Sequence, residues 1–238
     1  MNRKGAKEFR RFSEKPQKIF ASLRFIPQFM NFDLKNLSPR EGYKLLTGVI
    51  VPRPIALVTS QNEDGLVNAA PFSFFNIVGS NPPIVALGIG DKSEDEAKDS
   101  AKNIRKSGEF VVNLVARAMT DAMNICAVDF PSGISEVEAA KLQTAPSQIV
   151  GVPRLALSPA ALECRAHTTL QIGENRVILG EVVALFIADE FVDNSKHHVD
   201  SARLDLIGRM GGAGAYTDTS GTFELARLSF AEWQQNAP

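Results

Sequence analysis

The segment from Leu162 to Ile187 limits the fold more than any other part of the chain. Leu162, Cys164, Ala166, Thr168, Leu170 and Ile172 alternate with Glu163, Arg165, His167, Thr169 and Gln171. That period of two belongs to a strand with one apolar and one wet face. Gly173-Glu174-Asn175 supplies a turn, and residues 177–187 return, apolar on both faces apart from Gly180 and Glu181. An arm buried on both sides calls for a second layer, which a partner subunit can provide.

Shorter strands are expected at 55–60, 66–70, 74–78, 84–89 and 110–115, with hairpin-turn chemistry at 62–65. Ser38-Pro39-Arg40-Glu41 reads as a helix start, with Ser as N-cap and Pro in the first turn, and Gly48 as its end. Further helices are expected at 97–107, stopped by Gly108, and at 119–127. The stretch 129–151 is loop-rich, with one helical turn near 135–140. Strands outnumber helices and pair mostly through hairpins. The expectation is a mainly β chain with peripheral helices, built as an antiparallel barrel.

The bulk composition excludes more than it assigns. At 238 residues with 44% hydrophobic side chains, the chain can bury one sizeable core. A net charge of −1 offers no general attraction for nucleic acid. Residues 1–30 hold eight basic and two acidic residues, a surplus of +6, against 18 basic and 25 acidic residues, or −7, beyond them. They read as a basic, disordered extension or the product of an upstream start, with Met30 as the true start; an organellar presequence is the other alternative. The folded domain is expected over 31–238. No apolar run is long enough to span a bilayer. Cys126 and Cys164 form no CxxC, which suits a reducing, cytoplasmic setting.

Familiar catalytic devices are missing: there is no GxSxG, HExxH, Walker A or strand-borne GxGxxG. Gly88-Ile89-Gly90-Asp91 reads as a strand-end turn. His167, His197 and His198 lack the spacing of a metal site. Chemistry by side-chain acids and bases is not visible, so a cofactor is expected to supply it. The unusual stretch is 51–83. Asn68, Ala69, Ala70, Pro71 and Ser73 stand there beside Phe72, Phe74 and Phe75. This mixture suits a wall where backbone and small side chains approach a flat, partly polar ligand.

The ordered series Pro52-Arg53-Pro54-Ile55-Ala56-Leu57-Val58-Thr59, Asn68-Ala69-Ala70-Pro71-Phe72-Ser73-Phe74-Phe75-Asn76 and Pro82-Pro83 continues through Lys98-Asp99-Ser100 with Asn103-Ile104 and Gly108-Glu109-Phe110-Val111-Val112-Asn113. It ends with Leu162-Glu163-Cys164, Gly180-Glu181-Val182 and Gly208-Arg209-Met210-Gly211-Gly212 with Tyr216. Over about residues 32–217 this resembles the flavin reductase-like family. The resemblance implies an antiparallel split β-barrel of the FMN-binding type, and FMN (or FAD) as cofactor. It implies NADH or NADPH as electron donor, an NAD(P)H:flavin oxidoreductase activity and a homodimer. Reduced flavin would go to a partner monooxygenase or another acceptor. An FMN-binding electron carrier without steady-state reductase activity is the alternative.

The residues the resemblance marks for the cofactor are Arg53, Asn68, Ala69, Ala70, Pro71, Phe72, Ser73, Phe74, Lys98, Asp99, Ser100 and Arg209. Several have a plainer reading beside them. Phe72, Phe74 and Phe75 also fit a barrel core, with Phe72 and Phe74 on one face and Phe75 on the other. Lys98-Asp99-Ser100 opens a helix, where unpaired N–H groups suit a phosphate or where Asp99 or Ser100 is simply a cap. Asp91, Glu94, Asp95 and Glu96 precede it and must point away for an anion to sit there. Arg53, stiffened by two prolines, aims at a flavin phosphate or pyrimidine edge, or makes a surface salt bridge. Arg209 closes over the flavin or the nicotinamide.

Overall fold

The computed structural model describes residues 30–93 and 96–236. The basic extension before Met30 lies outside the described residues, as do Glu94 and Asp95. The chain divides into two compact units between Gly42 and Tyr43. In the first, Ser38 starts helix α1 (Pro39–Val49) with a reciprocal cap. Its Oγ accepts the Glu41 N–H at 3.4 Å, and Glu41 Oε2 accepts the Ser38 N–H at 2.9 Å. The helix runs one residue past Gly48.

In the second unit, β1 (Arg53–Pro54) leads into β2 (Ala56–Gln61), β3 (Val67–Phe72), β4 (Phe75–Ser80) and β5 (Pro83–Gly90). Helix α2 (Asp99–Ser107) follows, then β6 (Glu109–Leu114), α3 (Thr120–Ile125), α4 (Glu136–Ala139), β7 (Thr144–Ala145) and β8 (Arg154–Leu155). The long hairpin is β9 (Ala160–Ile172) and β10 (Asn175–Ile187). Short strands β11 (Val192–Asp193) and β12 (His198–Val199) precede a ribbon of β13 (Ile207–Arg209) and β14 (Tyr216–Asp218), and α5 (Phe230–Asn236) comes last. Gly108 stops α2 as expected, because its φ of 71° turns the chain left-handed while its N–H still reaches Ile104 O.

Seven strands form one antiparallel sheet in the order β3-β2-β6-β9-β10-β5-β4. Its outer strands, β3 and β4, are not paired with each other, yet only Ser73 and Phe74 separate them. So short a link spans about 11 Å at most, and the sheet must curl until its edges approach. One apolar cluster lies inside the curl around Val58, Leu87, Phe110 and Ile178. A second, around Leu57, Met119, Met123 and Leu155, fills the opposite face of β2. The Phe110 ring lies so close to β10 that a Cβ at Gly180 would stand 2.5 Å from Phe110 Cζ. This close approach explains why the doubly apolar strand carries a glycine there.

Two expectations are corrected. The polar face of β9 is not uniformly wet, because Glu163 is buried. It accepts the N–H groups of Gln148 and Ile149 at 2.7 Å and of Val150 at 3.2 Å. The phenylalanines do not alternate either. The chain bends at Ser73–Phe74, so Phe72 and Phe75 both pack on the inner cluster. Phe74 is left outside against Tyr43, with ring centroids 6.2 Å apart.

Candidate functional site

Segments far apart in sequence meet along one groove. Asn68, Ala70 and Pro71 of β3 face Lys98 and Ser100 at the start of α2 across a cavity of about 110 Å³. Pro71 and Phe72 continue into a second cavity of about 190 Å³, where Ser73 meets Arg209 and Tyr216 of the ribbon. The groove therefore runs from a helix start, along an edge strand, to the β13–β14 ribbon.

The helix start has no side-chain cap, and Lys98 is its N-cap residue. First-turn N–H groups and the positive end of the helix are left toward the cleft. The Lys98 ammonium has no partner among the described residues. Ser100 is buried, with its hydroxyl 3.0 Å from the Asn68 amide. This donor set fits the phosphate of the implied cofactor.

Of the four carboxylates that precede the helix, Asp91 and Glu96 are among the described residues, and both are paired. Asp91 turns to the start of β10 and takes Arg176 in a two-pronged pair at 2.7 and 3.0 Å. Glu96 lies 3.7 Å from both Lys92 and Lys102. Asp99 pairs with Lys92 at 3.1 Å and Lys102 at 3.3 Å. Partial burial pushes the Asp99 carboxyl up, but these two lysines outweigh it and hold it below its ordinary range.

The strand wall is more selective than its sequence suggests. Asn68 and Ala70 line the cleft, whereas the Ala69 side chain is fully buried in the outer cluster. Its N–H is already donated to Glu136 Oε2 at 3.1 Å. Edge-strand alternation turns Pro71, which has no N–H, to that same open side. The Phe72 side chain is core, with one edge in the groove.

Among the described residues, Arg53 is not in the surface salt bridge that was its plainer reading. It is 7% exposed. Its Nη1 donates to Thr47 O at 2.8 Å and Ile50 O at 2.7 Å, Nη2 to Met210 O at 3.4 Å, and Nε to Ser73 Oγ at 3.4 Å. The guanidinium thus ties down the last carbonyls of α1 and reaches the groove only through Ser73. Arg209 is half-buried, stacks 4.6 Å over Tyr216, and donates to Ala213 O at 3.0 Å.

Glu136 is a cleft residue that reading the sequence missed. Burial pushes its carboxyl above the ordinary range; hydrogen bonds from backbone N–H groups oppose this, Asp99 adds to it, and Lys92 counters it. The expected helical turn at 135–140 was its only sequence signal. Cys126 also lines the cleft, but burial first and Glu136 second push its thiol up to about 12, so it is no thiolate nucleophile. Among the described residues no His/Cys/Asp/Glu cluster could hold a metal ion, and no helix is long and apolar enough to cross a membrane.

Residues 49–201 match the family described as flavin reductase like domain. An uncharacterized protein of Deinococcus radiodurans is 51% identical over 210 residues, 86% of this chain and 92% of that one. The solved structure of nitrilotriacetate monooxygenase component B from Bacillus cereus is similar with a TM-score of 0.80 at 31% identity, covering 84% of this chain and 100% of that one. The 2-nitrobenzoate 2-nitroreductase of Pseudomonas fluorescens is similar with a TM-score of 0.78 at 35% identity, covering 84% and 98%.

Proposed function

This chain belongs to the flavin reductase-like family, and from that premise we propose that it is an FMN-binding oxidoreductase that reduces flavin with NAD(P)H. The observation that carries the reading is the meeting of an uncapped helix start and Lys98, unpartnered among the described residues, with a strand of small residues in one groove. In this reading Lys98, the first-turn N–H groups of α2 and the Ser100 hydroxyl hold the phosphate. Asn68, Ala70 and Pro71 form the wall along which the ring lies, their small side chains allowing close approach. Ser73 and Arg209 border the far end, and Phe74 with Tyr43 adds an aromatic surface beside it.

Bound flavin supplies the redox chemistry, accepting a hydride from the nicotinamide. The chain's own part is to bind, orient and balance charge, without a protein base. Ala69 and Arg53 act indirectly: the first anchors Glu136, and the second fixes Ser73 and the end of α1. Asp99 balances Lys92 and Lys102.

Two further assignments belong to the proposal. A homodimer would cover Ile77 and Val78, which edge strand β4 leaves 63% and 59% exposed. The likeness to a protein named as a monooxygenase component supports an acceptor that consumes reduced flavin. Two buried free cysteines suit a reducing cytoplasm.

Steady-state oxidation of NADH or NADPH with added FMN tests the activity. Turnover supports the reductase. Tight FMN binding without turnover favours the electron carrier instead. A protein that binds no FMN and oxidises neither nucleotide overturns both.

A further inference from the structure

The stretch after β14 is left bare by its own fold. Residues 220–235 are all exposed, and they include Phe223, Leu225, Leu228, Phe230 and Trp233. Phe223 and Leu225, two positions apart, share one side of an extended segment. Phe230 and Trp233, three apart, share one face of α5, with ring centroids 5.7 Å apart. The helix is specified locally. Ser229 Oγ accepts the Glu232 N–H at 3.2 Å, and Glu232 Oε2 accepts the Ser229 N–H at 2.8 Å. So apolar a run on the outside of a protein marks a contact surface.

The same chain carries a second bare surface. Tyr43, Leu46, Val49 and Ile50 stand exposed at helical spacing along α1. Phe74 extends that face through its contact with Tyr43. The base of the arm lies nearby, because a Cβ at Gly211, in the loop between β13 and β14, would stand 3.0 Å from Gly48 Cα. The arm nevertheless runs on with every side chain through 235 exposed. An unmatched apolar arm and an unmatched apolar face on one chain satisfy each other when two copies pair about a two-fold axis. We propose that the C-terminal arm of each protomer lies across the α1–Phe74 face of its partner, bordering the ring end of the partner's flavin groove. This rests on the homodimer proposed above and names the segment that builds it.

The area suffices. Rings that are 88%, 70% and 55% exposed at Phe223, Phe230 and Trp233 leave roughly 450 Å² per arm to bury, at about 150–250 Å² for a whole aromatic side chain. Two arms and the two faces that receive them lose roughly 1,800 Å², within the range of about 1,200–2,000 Å² for a stable interface. A docked arm also shields the ring end of the partner's groove from water, so a lone protomer holds an incomplete site.

Trp233 is the chain's one tryptophan, so its fluorescence reports the arm alone. The test follows Trp233 emission and sedimentation together over a dilution series for wild type, Phe223→Asp and Val49→Asp. Both substituted side chains are exposed in the protomer, so its fold is kept. Wild type should be a dimer with blue-shifted emission that moves to the red as dilution separates the protomers. Each variant should raise the dimer dissociation constant by about thirtyfold, the worth of one hot-spot side chain. Mixing the two variants should recover part of the association, because one keeps an intact face and the other an intact arm. FMN bound to the dimer should quench Trp233. A dimer whose Trp233 emits as a water-exposed indole overturns the inference and leaves the homodimer standing. Unchanged dissociation constants in both variants do the same. Blue-shifted emission from a monomer means the arm docks on its own chain, which also overturns the inference. Bound FMN without quenching overturns the placement beside the groove. A monomer with exposed Trp233 at every concentration overturns the homodimer and the inference together.

Discussion

The two ends of the groove both carry cations, but in opposite conditions. At the α2 end, Lys98 has no partner among the described residues and the helix start is uncapped. At the ribbon end, Arg53 donates to three carbonyls and a hydroxyl, and Arg209 is held by Tyr216 and two loop carbonyls. Arg53 has most of its donors taken up inside the protein, whereas Arg209 makes its printed hydrogen bonds through Nη2. Lys98 is half-buried and, among the described residues, keeps its ammonium without a partner. At the ribbon end carbonyls lie within reach of the cations, and at the α2 end none is bonded to Lys98 among the described residues.

The largest test of that contrast is Arg53→Ala. It strands the Thr47 and Ile50 carbonyls and should lower stability by about 3 kcal/mol or more, read as a fall in the thermal midpoint. Arg53→Lys should recover only part, because one ammonium cannot serve four acceptors on three segments. An unchanged midpoint would return Arg53 to the ligand side. Next, Lys98→Ala should weaken FMN binding by about tenfold with the melting curve unmoved. A lower midpoint with unchanged affinity would make Lys98 scaffold. Arg209→Ala should be smaller, a loss of roughly threefold in FMN or nicotinamide affinity, since much of the side chain is already occupied.

The smallest effect concerns Asp99 and pH. Its folded-state transition is depressed by Lys92 and Lys102. The stability it contributes is therefore complete above the unfolded carboxyl's value and is lost as pH falls through the folded one. Lys92 is the mirror case. Burial lowers its transition, but Asp99 and Glu96 outweigh this and raise it, so its contribution holds below the unfolded lysine value and disappears as pH rises through the folded one. Asp99→Asn should flatten the acid side of a plot of melting temperature against pH, and an unaltered acid limb would count against the pairing.

What the sequence made legible was local. Ser38 with Glu41, Gly108, the 62–65 turn and the capped turn at Ser135 act within a few residues of themselves, so pattern alone finds them. The meeting of Asn68–Ser73 with Lys98–Ser100 came from the resemblance, because the strands and loop between them hide it from periodicity. Glu163 looked like a wet-face residue because its partners, the N–H groups of 148–150, come from a loop that no spacing rule connects to it. Glu136 was missed for the same reason: its reach to Ala69 spans 67 positions. The direction of Arg53 depended on carbonyls that only the folded chain assembles.

The pairing of β1 with β13 sets a condition on how the chain is completed. Arg53 and Arg209 are register partners, and β1 is hydrogen-bonded to no other strand among the described residues. This small sheet closes a loop of over one hundred and fifty residues, a separation at which contacts form slowly. During synthesis the segment after α1 must wait, half-assembled, until the ribbon emerges. A chain cut short before Ile207 would keep its seven-stranded sheet and lose the clasp.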